Sequence, residues 1–520
     1  MPQTEGKARF LRASLPAASE VLAGLPDPLP EDEILRESIR AMRAEDGLLL
    51  GVLDDDPTGS QAVHDVQVVT VLAEDAYAAA FGGPSGTCFV LTNSRSLDEP
   101  DAVEVNVRAA RGLIATAERK SARVQLISRS DSTLRGHVMA EVAALQSVRR
   151  SVVGQGFDGV LLIPAFLEAG RVTAAGIHWA RLGGQLIPVG ETEFARDAAF
   201  GYQASDLRDF VVEKSDGAVR PEDVRSISLT DIRTGGPTRV RELLAGVRDG
   251  TWVVVNATEY SDLDTVAHGV LVAERAGRSF LFRTGPSFVR ALLGMGPKAP
   301  LRGEQIWSPG SSPGPSPRSS TGASPRSSTG ASPGSASGGR PDGHGIVVVG
   351  SHVGQTSRQV AALHARGGVT GVELDVPALV RGDDVIGPAA RQVAGALARS
   401  DVLLYTSRTV VPGRDPADGL AIARTVSAAL SRVVRETLAA SPAWIVAKGG
   451  ITSHDVAVHG LGIRRAEVAG QLFPGVISVF RPLDAAPGAI GRPYVVFAGN
   501  VGDEETLGQV VAILNGEEDG

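Results

Sequence analysis

Between Gly47 and Gly296 the chain returns again and again to short runs that are apolar at consecutive positions. They include "LLLGVL", "VQVVTVL", "TCFVLT", "RVQLIS", "GVLLIPAF", "WVVVNAT" and "SFLF", most of them followed by a polar or glycine-bearing turn and a helical stretch. A strand with one wet face alternates apolar and polar residues. A strand apolar at every position is buried on both faces, which is the condition of a parallel sheet covered by helices. The rhythm therefore restricts the fold to α/β, with ligands expected beyond the carboxyl ends of the strands. It resumes at Gly345 in "GIVVVGSHVGQTSRQVAALHAR", "DVLLYTS", "AWIVAKGGITSHD", "GVISVF" and "YVVFAGNVGDEETLGQVVAIL".

Residues 302–343 interrupt the rhythm. Their repeated Pro, Ser, Gly and Thr, as in "PRSSTGASPRSSTGASPG", offer almost nothing to bury and read as a disordered linker, with a phosphorylated tract as the other reading. The expected organisation is an N-terminal tail over 1–45 with one helix in "EDEILRESIRAMRAEDG", an α/β domain over 46–301, the linker, and a second α/β domain over 344–520. Each domain is expected to be a largely parallel sheet flanked by helices, with a cleft between them for a small molecule.

A formal net charge of -8 argues against nucleic acid as the main partner. Cys88 is the only cysteine, so no internal disulfide can form and a reducing compartment fits. The start lacks an apolar leader, and no run of about 18 apolar residues occurs, so a cytoplasmic protein with no membrane span is expected, and a homodimer is compatible with it.

Three places carry chemistry. Asp54, Asp55 and Asp56 follow "LLLGVL" directly, where Pro57 and Gly59 shape a turn. Crowded carboxylates gain from a cation and can supply a general base; the plainer reading is a solvated acidic turn. "SRSDSTLRGHVMAEVAAL" follows "RVQLI" and puts Arg129, Asp131, Ser132, Thr133 and Arg135 together, guanidinium and hydroxyl groups suited to a small acidic substrate. Asp131 or Ser132 could equally cap the next helix. "IPAFLEAGRVTAAGIHW" adds Arg171, and "ETEFARD" adds Glu193, Arg196 and Asp197. In the second domain "VVVGSHVGQTSRQ", "IVAKGGITSHD" and "VVFAGNVGDEETL" each place glycines between a strand and a helix, where backbone N–H groups bind phosphate. Lys448 reads equally as a phosphate contact or a surface lysine. No P-loop, GxGxxG, HExxH or zinc spacing is present, and no metal-ligating set is predicted.

The blocks "DDDPTG", "DSTLRG", "IPAF…AGR", "ETEFARD", "GSHVGQT", "KGGITS" and "AGNVG", in this order, resemble the four-carbon acid sugar kinase family over most of the chain from Gly47 to Leu514. The resemblance implies an amino-terminal substrate domain, a carboxyl-terminal nucleotide domain, and ATP-dependent phosphorylation, with Mg²⁺, of the terminal hydroxyl of threonate, erythronate or a 3-oxo-tetronate. By position Asp55, Asp56 and Thr58 fall in the family's aspartate–threonine–glycine block and Asp131, Ser132 and Arg135 in its substrate-side block. From the chemistry of these residues, Asp55 or Asp56 is expected to take the hydroxyl proton and Arg135, helped by Arg129 or Arg171, to clamp the substrate carboxylate. Ser351, Gly449, Gly450, Ile451, Thr452 and Gly499 would hold the nucleotide. Pro57 stands where the family usually has an aromatic residue, Asp54 where it has alanine, and Ala498-Gly499-Asn500-Val501-Gly502 where it reads Ser-Gly-Asn-Phe-Gly. A non-catalytic effector on the same fold and a dehydrogenase or aldolase of small acids are the competing classes.

Overall fold

The computed structural model describes residues 17–307, 343–350, 354–408, 411, 414, 416–499 and 501–517. The chain forms two compact units, one from Met1–Val63 and Leu72–Pro297, the other from His64–Val71 and Lys298–Gly520.

The strands in the first half of the chain are β1 (Leu48–Asp54), β2 (Val66–Val69), β3 (Thr87–Leu91), β4 (Arg123–Arg129), β5 (Gly159–Ile163), β6 (Arg171–Ala174), β7 (Ile177–Leu182), β8 (Gln185–Pro188), β9 (Arg225–Ile227), β10 (Thr251–Val255) and β11 (Phe280–Thr284). In the first unit β3, β1, β4, β11, β5, β10 and β9 lie side by side in that order, every pair parallel. β3, β5 and β11 are buried at every residue, as uninterrupted apolar runs require. β6, β7 and β8 form a separate antiparallel sheet of the same unit.

Residues 33–45, assigned to the tail by sequence, are instead a packed part of this unit. Asp32 caps helix Glu33–Glu45 by accepting from the N–H groups of Ile34 (2.9 Å) and Leu35 (3.2 Å). Arg36 on that helix is 3% exposed and pairs with buried Asp264 at 2.8 Å. A further helix, Ala18–Ala23, precedes it, although the sequence pointed to a single helix before Gly47.

The second unit contains β12 (Ile346–Val349), β13 (Val369–Leu374), β14 (Asp401–Thr406), β15 (Ile445–Lys448), β16 (Arg465–Phe473), β17 (Ile477–Asp484) and β18 (Tyr494–Phe497). β13, β14, β12, β15 and β18 are parallel, after which β17, β16 and β2 continue antiparallel. The four residues of β2 thus leave the first half of the sequence to complete the second unit. Most of the linker expected over 302–343 lies outside the described residues. Where it is described, Gly303–Ile306 is a 3-10 turn, and Ile306 and Leu301 are buried in the second unit's core with Trp444, Phe497 and Val510. Among the described residues no helix is long and apolar enough to cross a membrane.

Candidate functional site

From β1 the chain moves to β3 on one side, and from β4 it moves toward β5 on the other. The carboxyl ends of β1 and β4 therefore flank a topological switch point, where open parallel sheets leave a crevice. Asp54 and Arg129 stand opposite each other in the register of these two strands. Both are buried, at 0% and 4% exposure, and the Arg129 Nη2 group makes a close ion pair with Asp54 Oδ1 while also donating to the Asp56 carbonyl at 2.8 Å. Arg129 Nη1 donates to the Ser130 carbonyl at 3.1 Å. So the guanidinium grouped with the substrate clamp by sequence is taken up by the triplet itself. Burial pushes the Asp54 carboxyl up to about 7, against the opposing pull of Arg129. Near neutral pH the triplet therefore carries less than its full charge.

The close approach leaves no room at Gly59, where a Cβ would fall inside the Arg129 guanidinium. Because that side chain is locked by its partners, Gly59→Ala is expected to cost about 1–3 kcal/mol, the usual range for overpacking. A shift of the urea midpoint with unchanged slope would register it.

Asp55 differs from its neighbours. It is 2% exposed, and neither Oδ1 nor Oδ2 accepts a hydrogen bond. Arg129 Nη2 lies 3.4 Å from its Oδ1 and Arg95 Nη1 lies 4.0 Å away. Asp56 is occupied: its Oδ1 accepts from the Thr58 N–H (2.7 Å) and Thr58 Oγ1 (2.5 Å), and its Oδ2 pairs closely with Arg95. Arg95 was not singled out by sequence. It sits in the turn Ser94–Ser96 after β3 and also reaches Asp131 Oδ1 at 3.5 Å, tying the two acidic blocks together. Its only sequence signal is its place just beyond the carboxyl end of an apolar run.

The second block does not cap a helix at Asp131 or Ser132. Leu134 (φ 68°) and Gly136 (φ 117°) hold the chain in left-handed conformations, and the helix begins only at Val138. Asp131 Oδ2 accepts from Arg135 Nε at 2.7 Å and from Thr133 Oγ1. Burial would raise this carboxyl, but Arg95 and Arg135 together hold it well below the usual carboxylate range. Arg135 also lies 3.6 Å from Asp197, and its guanidinium sits 5.3 Å from the centre of the Phe194 ring. Arg171 lies 5.7 Å from the same ring, and its Nε is buried without a partner. Two guanidinium groups thus share one aromatic platform, chemistry suited to an anion. The antiparallel sheet braces the loop from behind. His178 Nε2 donates to the Ser132 carbonyl at 2.8 Å and its Nδ1 accepts from Thr173 at 2.9 Å, while Tyr202 donates to the Thr133 carbonyl at 2.6 Å. Burial lowers His178 to about 4, so the ring is neutral at pH 7.

Beneath Asp55 lies a buried ion pair that sequence reading also missed. Arg283 of β11 pairs closely with Glu141 and donates to Ser128 Oγ at 2.7 Å, leaving its Nε and Nη2 without partners. Glu141 also accepts from Ser94 Oγ at 2.5 Å, so it steadies the turn that carries Arg95. A Cβ on Gly136 would lie 3.2 Å from Arg283 Nη2 and 3.4 Å from Asp55 Oδ2, so only glycine lets this loop pass so near both.

In the second unit the glycine turns converge. Val349, Lys448 and Phe497 are aligned at the carboxyl ends of β12, β15 and β18. Gly350 packs on Thr452, where an added Cβ would lie 2.5 Å from Thr452 Oγ1. Gly449 (φ 113°) donates to the Phe497 carbonyl at 2.8 Å, and Gly450 opens the helix Gly450–Asp455. Thr356 Oγ1 donates to the Gly499 carbonyl at 2.9 Å. Ile451 is 59% exposed beside them. Ser351 lies outside the described residues.

Lys448 is neither a surface lysine nor a free phosphate contact. It is fully buried, donates to the Ala498 (2.7 Å) and Val501 (3.3 Å) carbonyls, and sits 3.6 Å from the Phe497 ring centre. Burial lowers it to about 7 from its usual 10.5. Between these values the unfolded chain binds the proton that the folded chain has released, so this group makes stability rise with pH from about 7 to 10.5. In Lys448→Met that slope should vanish from urea midpoints taken across the window.

Comparison with known proteins bears on both units. Residues 50–292 match a family model described as a sugar-binding N-terminal domain, and residues 346–507 match one described as a nucleotide-binding C-terminal domain. A D-erythronate kinase from Heliobacterium modesticaldum is 28% identical over 187 residues, 35% of this chain; the match spans 38% of that relative's length. The crystal structure of a Haemophilus influenzae protein of the DUF1537 family superposes with a TM-score of 0.58 at 17% identity, covering 89% of this chain and 100% of that one. That of a Salmonella typhimurium LT2 protein carrying a tRNA-synthase name does so with a TM-score of 0.61 at 14% identity, covering 89% and 98%. At such identities the superpositions establish the fold, mostly parallel sheets flanked by helices in two domains. With both family models matched in order along most of its length, the chain belongs to the four-carbon acid sugar kinase family.

Proposed function

We propose that the protein is an ATP-dependent kinase that phosphorylates the terminal hydroxyl of a four-carbon sugar acid of the erythronate, threonate or 3-oxo-tetronate type. The observation that carries this reading is Asp55, a buried carboxylate at a sheet switch point whose two oxygens accept no hydrogen bond while guanidinium groups surround it. A substrate hydroxyl is the partner such a group lacks. Asp55 then accepts the hydroxyl proton as it attacks, and Asp56 keeps the turn and Arg95 in place. Arg135 and Arg171, over Phe194, take the sugar-acid carboxylate, while Asp131, Ser132 and Thr58 face its hydroxyls. Arg129 serves by holding Asp54 and the triplet backbone.

The second unit's turns at Gly350, Gly449–Thr452 and Gly499 suit the phosphates of ATP, and the sequence adds Ser351 to them. Mg²⁺ would enter as part of Mg-ATP, where it would offset phosphate charge. The D-erythronate kinase relative supports the choice of substrate class. ADP release measured with Mg-ATP and a panel of threonate, erythronate and 3-oxo-tetronate isomers tests the reading. Release that depends on one of these acids is expected. No release with any of them, together with thermal stabilisation by a nicotinamide cofactor, would overturn it.

A further inference from the structure

A cavity of about 240 Å³ opens in the first unit at the amino-terminal ends of β1, β4 and β11, where Leu48, Arg123 and Phe280 begin their strands. The aspartate and arginine blocks lie at the opposite ends of the same strands. The rise of β4 from Arg123 to Arg129 separates the two places by about 20 Å. The cavity is larger than the ~150 Å³ apolar void known to admit benzene, so an organic molecule of about ten heavy atoms fits.

Its lining is not that of a packing fault. Gln125 on β4 is 5% exposed and donates from Nε2 to Glu274 Oε2 at 2.6 Å. That bond fixes which end of the amide faces the carboxylate and leaves Gln125 Oε1 buried with no partner. The Arg149 guanidinium sits over Phe157, 4.5 Å from the ring centre, and its Nε is likewise buried without a partner. Among the described residues neither Arg149 nor exposed Arg123 has a carboxylate within 4.0 Å. Leu48, Ile114 and Phe280 give the cavity an apolar side, while the Glu118 and Glu274 carboxylates and Ser279 also line it, Glu274 facing the charges of Arg149 and Arg123 from beyond ion-pair distance. An orphaned acceptor, an orphaned guanidinium donor and an apolar wall together describe a ligand. A natural void of this size would be dry only if its lining were apolar throughout.

We propose that this cavity is a second small-molecule site, separate from the aspartate–arginine cluster, and that it takes a small organic acid with a hydroxyl group and a short apolar tail. Arg149, with Arg123 at the mouth, meets the carboxylate; Gln125 Oε1 accepts from the hydroxyl; Leu48, Ile114 and Phe280 cover the tail. A four-carbon sugar acid, polar along its whole length, would leave hydroxyls unpaired against that wall and is disfavoured.

The probe is 2-hydroxy-4-methylpentanoate, titrated against the full chain by calorimetry and ligand-observed NMR, with 4-methylpentanamide as the uncharged, hydroxyl-free control. Saturable millimolar or tighter binding of the acid and not of the amide is expected. Arg149→Met should weaken it about tenfold, the weight of one charge-assisted hydrogen bond. Gln125→Leu should also weaken it, and Ala117→Leu, which fills the cavity from its helix wall, should abolish it. Excess D-erythronate should not displace the probe. Because Arg149 is partly exposed and makes no ion pair, Arg149→Met keeps the test open if Gln125→Leu disturbs Glu274. No binding to the wild-type chain, equal binding to Arg149→Met and Ala117→Leu, or displacement by D-erythronate would overturn the proposal.

Discussion

Asp55→Asn is expected to lower kcat by about 10²–10⁴-fold, the usual share of a positioned general base, with a much smaller change in KM for the sugar acid. The substitution keeps the shape of the side chain and removes only its capacity to take a proton. It strikes Asp55 alone of the triplet because the neighbours are otherwise engaged: Asp54 with Arg129, Asp56 with Thr58 and Arg95. Asp56→Asn should therefore behave differently. It loosens the turn and frees Arg95, so KM and thermal stability should move along with kcat. The measurement is steady-state ADP release at saturating Mg-ATP, with a melting curve for each variant. Wild-type kcat in Asp55→Asn would remove this carboxylate from proton transfer and leave the proposed chemistry without its base.

Arg129→Met should cost about 3–5 kcal/mol of folding stability at neutral pH, the penalty for stranding a buried charge whose partner has been cut away. Both Asp54 and Asp55 lose their nearest guanidinium, and at 0% and 2% exposure neither can turn to water. The pH dependence has a definite sign. Folded Asp54 already titrates near 7 against 3.8 for an ordinary aspartate, so in that window the folded chain holds a proton that the unfolded chain has lost. Stability from this group accordingly falls as pH rises from about 4 to 7. Arg129 pulls that carboxyl down, so its removal lifts the folded value further and carries the fall above neutrality. The deficit of Arg129→Met should be larger at pH 8 than at pH 5 in guanidinium unfolding. Equal deficits at both would mean that packing of the arginine stem, not charge, is what the fold needs. Adding Asp54→Asn to the variant should restore part of the loss.

The α/β architecture was legible because burial on both faces leaves a mark no other strand carries, and "TCFVL" and "GVLLI" are indeed buried throughout. The acidic triplet and the "DSTLRG" block were legible for a related reason. Each directly follows such a run, and an observer who knows the sheet is parallel knows which end of the strand that is. What happens between strands was not legible. Arg129 looked like a companion of Arg135, but β4 extends through it and the register sets it against Asp54; that pairing depends on strand order, which local pattern does not reveal. Arg95 lay in a short polar turn marked only by its place after an apolar run, and its role emerges once β3 sets that turn beside β1. The choice between helix cap and site at Asp131 depended on the left-handed backbone at Leu134, an uncommon conformation for a leucine that its side chain does not advertise. Lys448 was read as solvent-facing or phosphate-facing because its carbonyl partners come from a turn about fifty residues away.

The strand Val66–Val69 has an effect on how the gene can be handled. Its residues hydrogen-bond to Arg465–Val468, so a fragment starting at Lys298 would expose the bare edge of β16, an invitation to pair with neighbouring copies and precipitate. Scission within the serine-rich stretch would not release two free halves either, since the eight residues His64–Val71 remain threaded into the carboxyl-terminal piece. Anyone preparing the nucleotide-binding portion by itself should supply that segment, fused or as a peptide, and judge success by whether the product stays monodisperse.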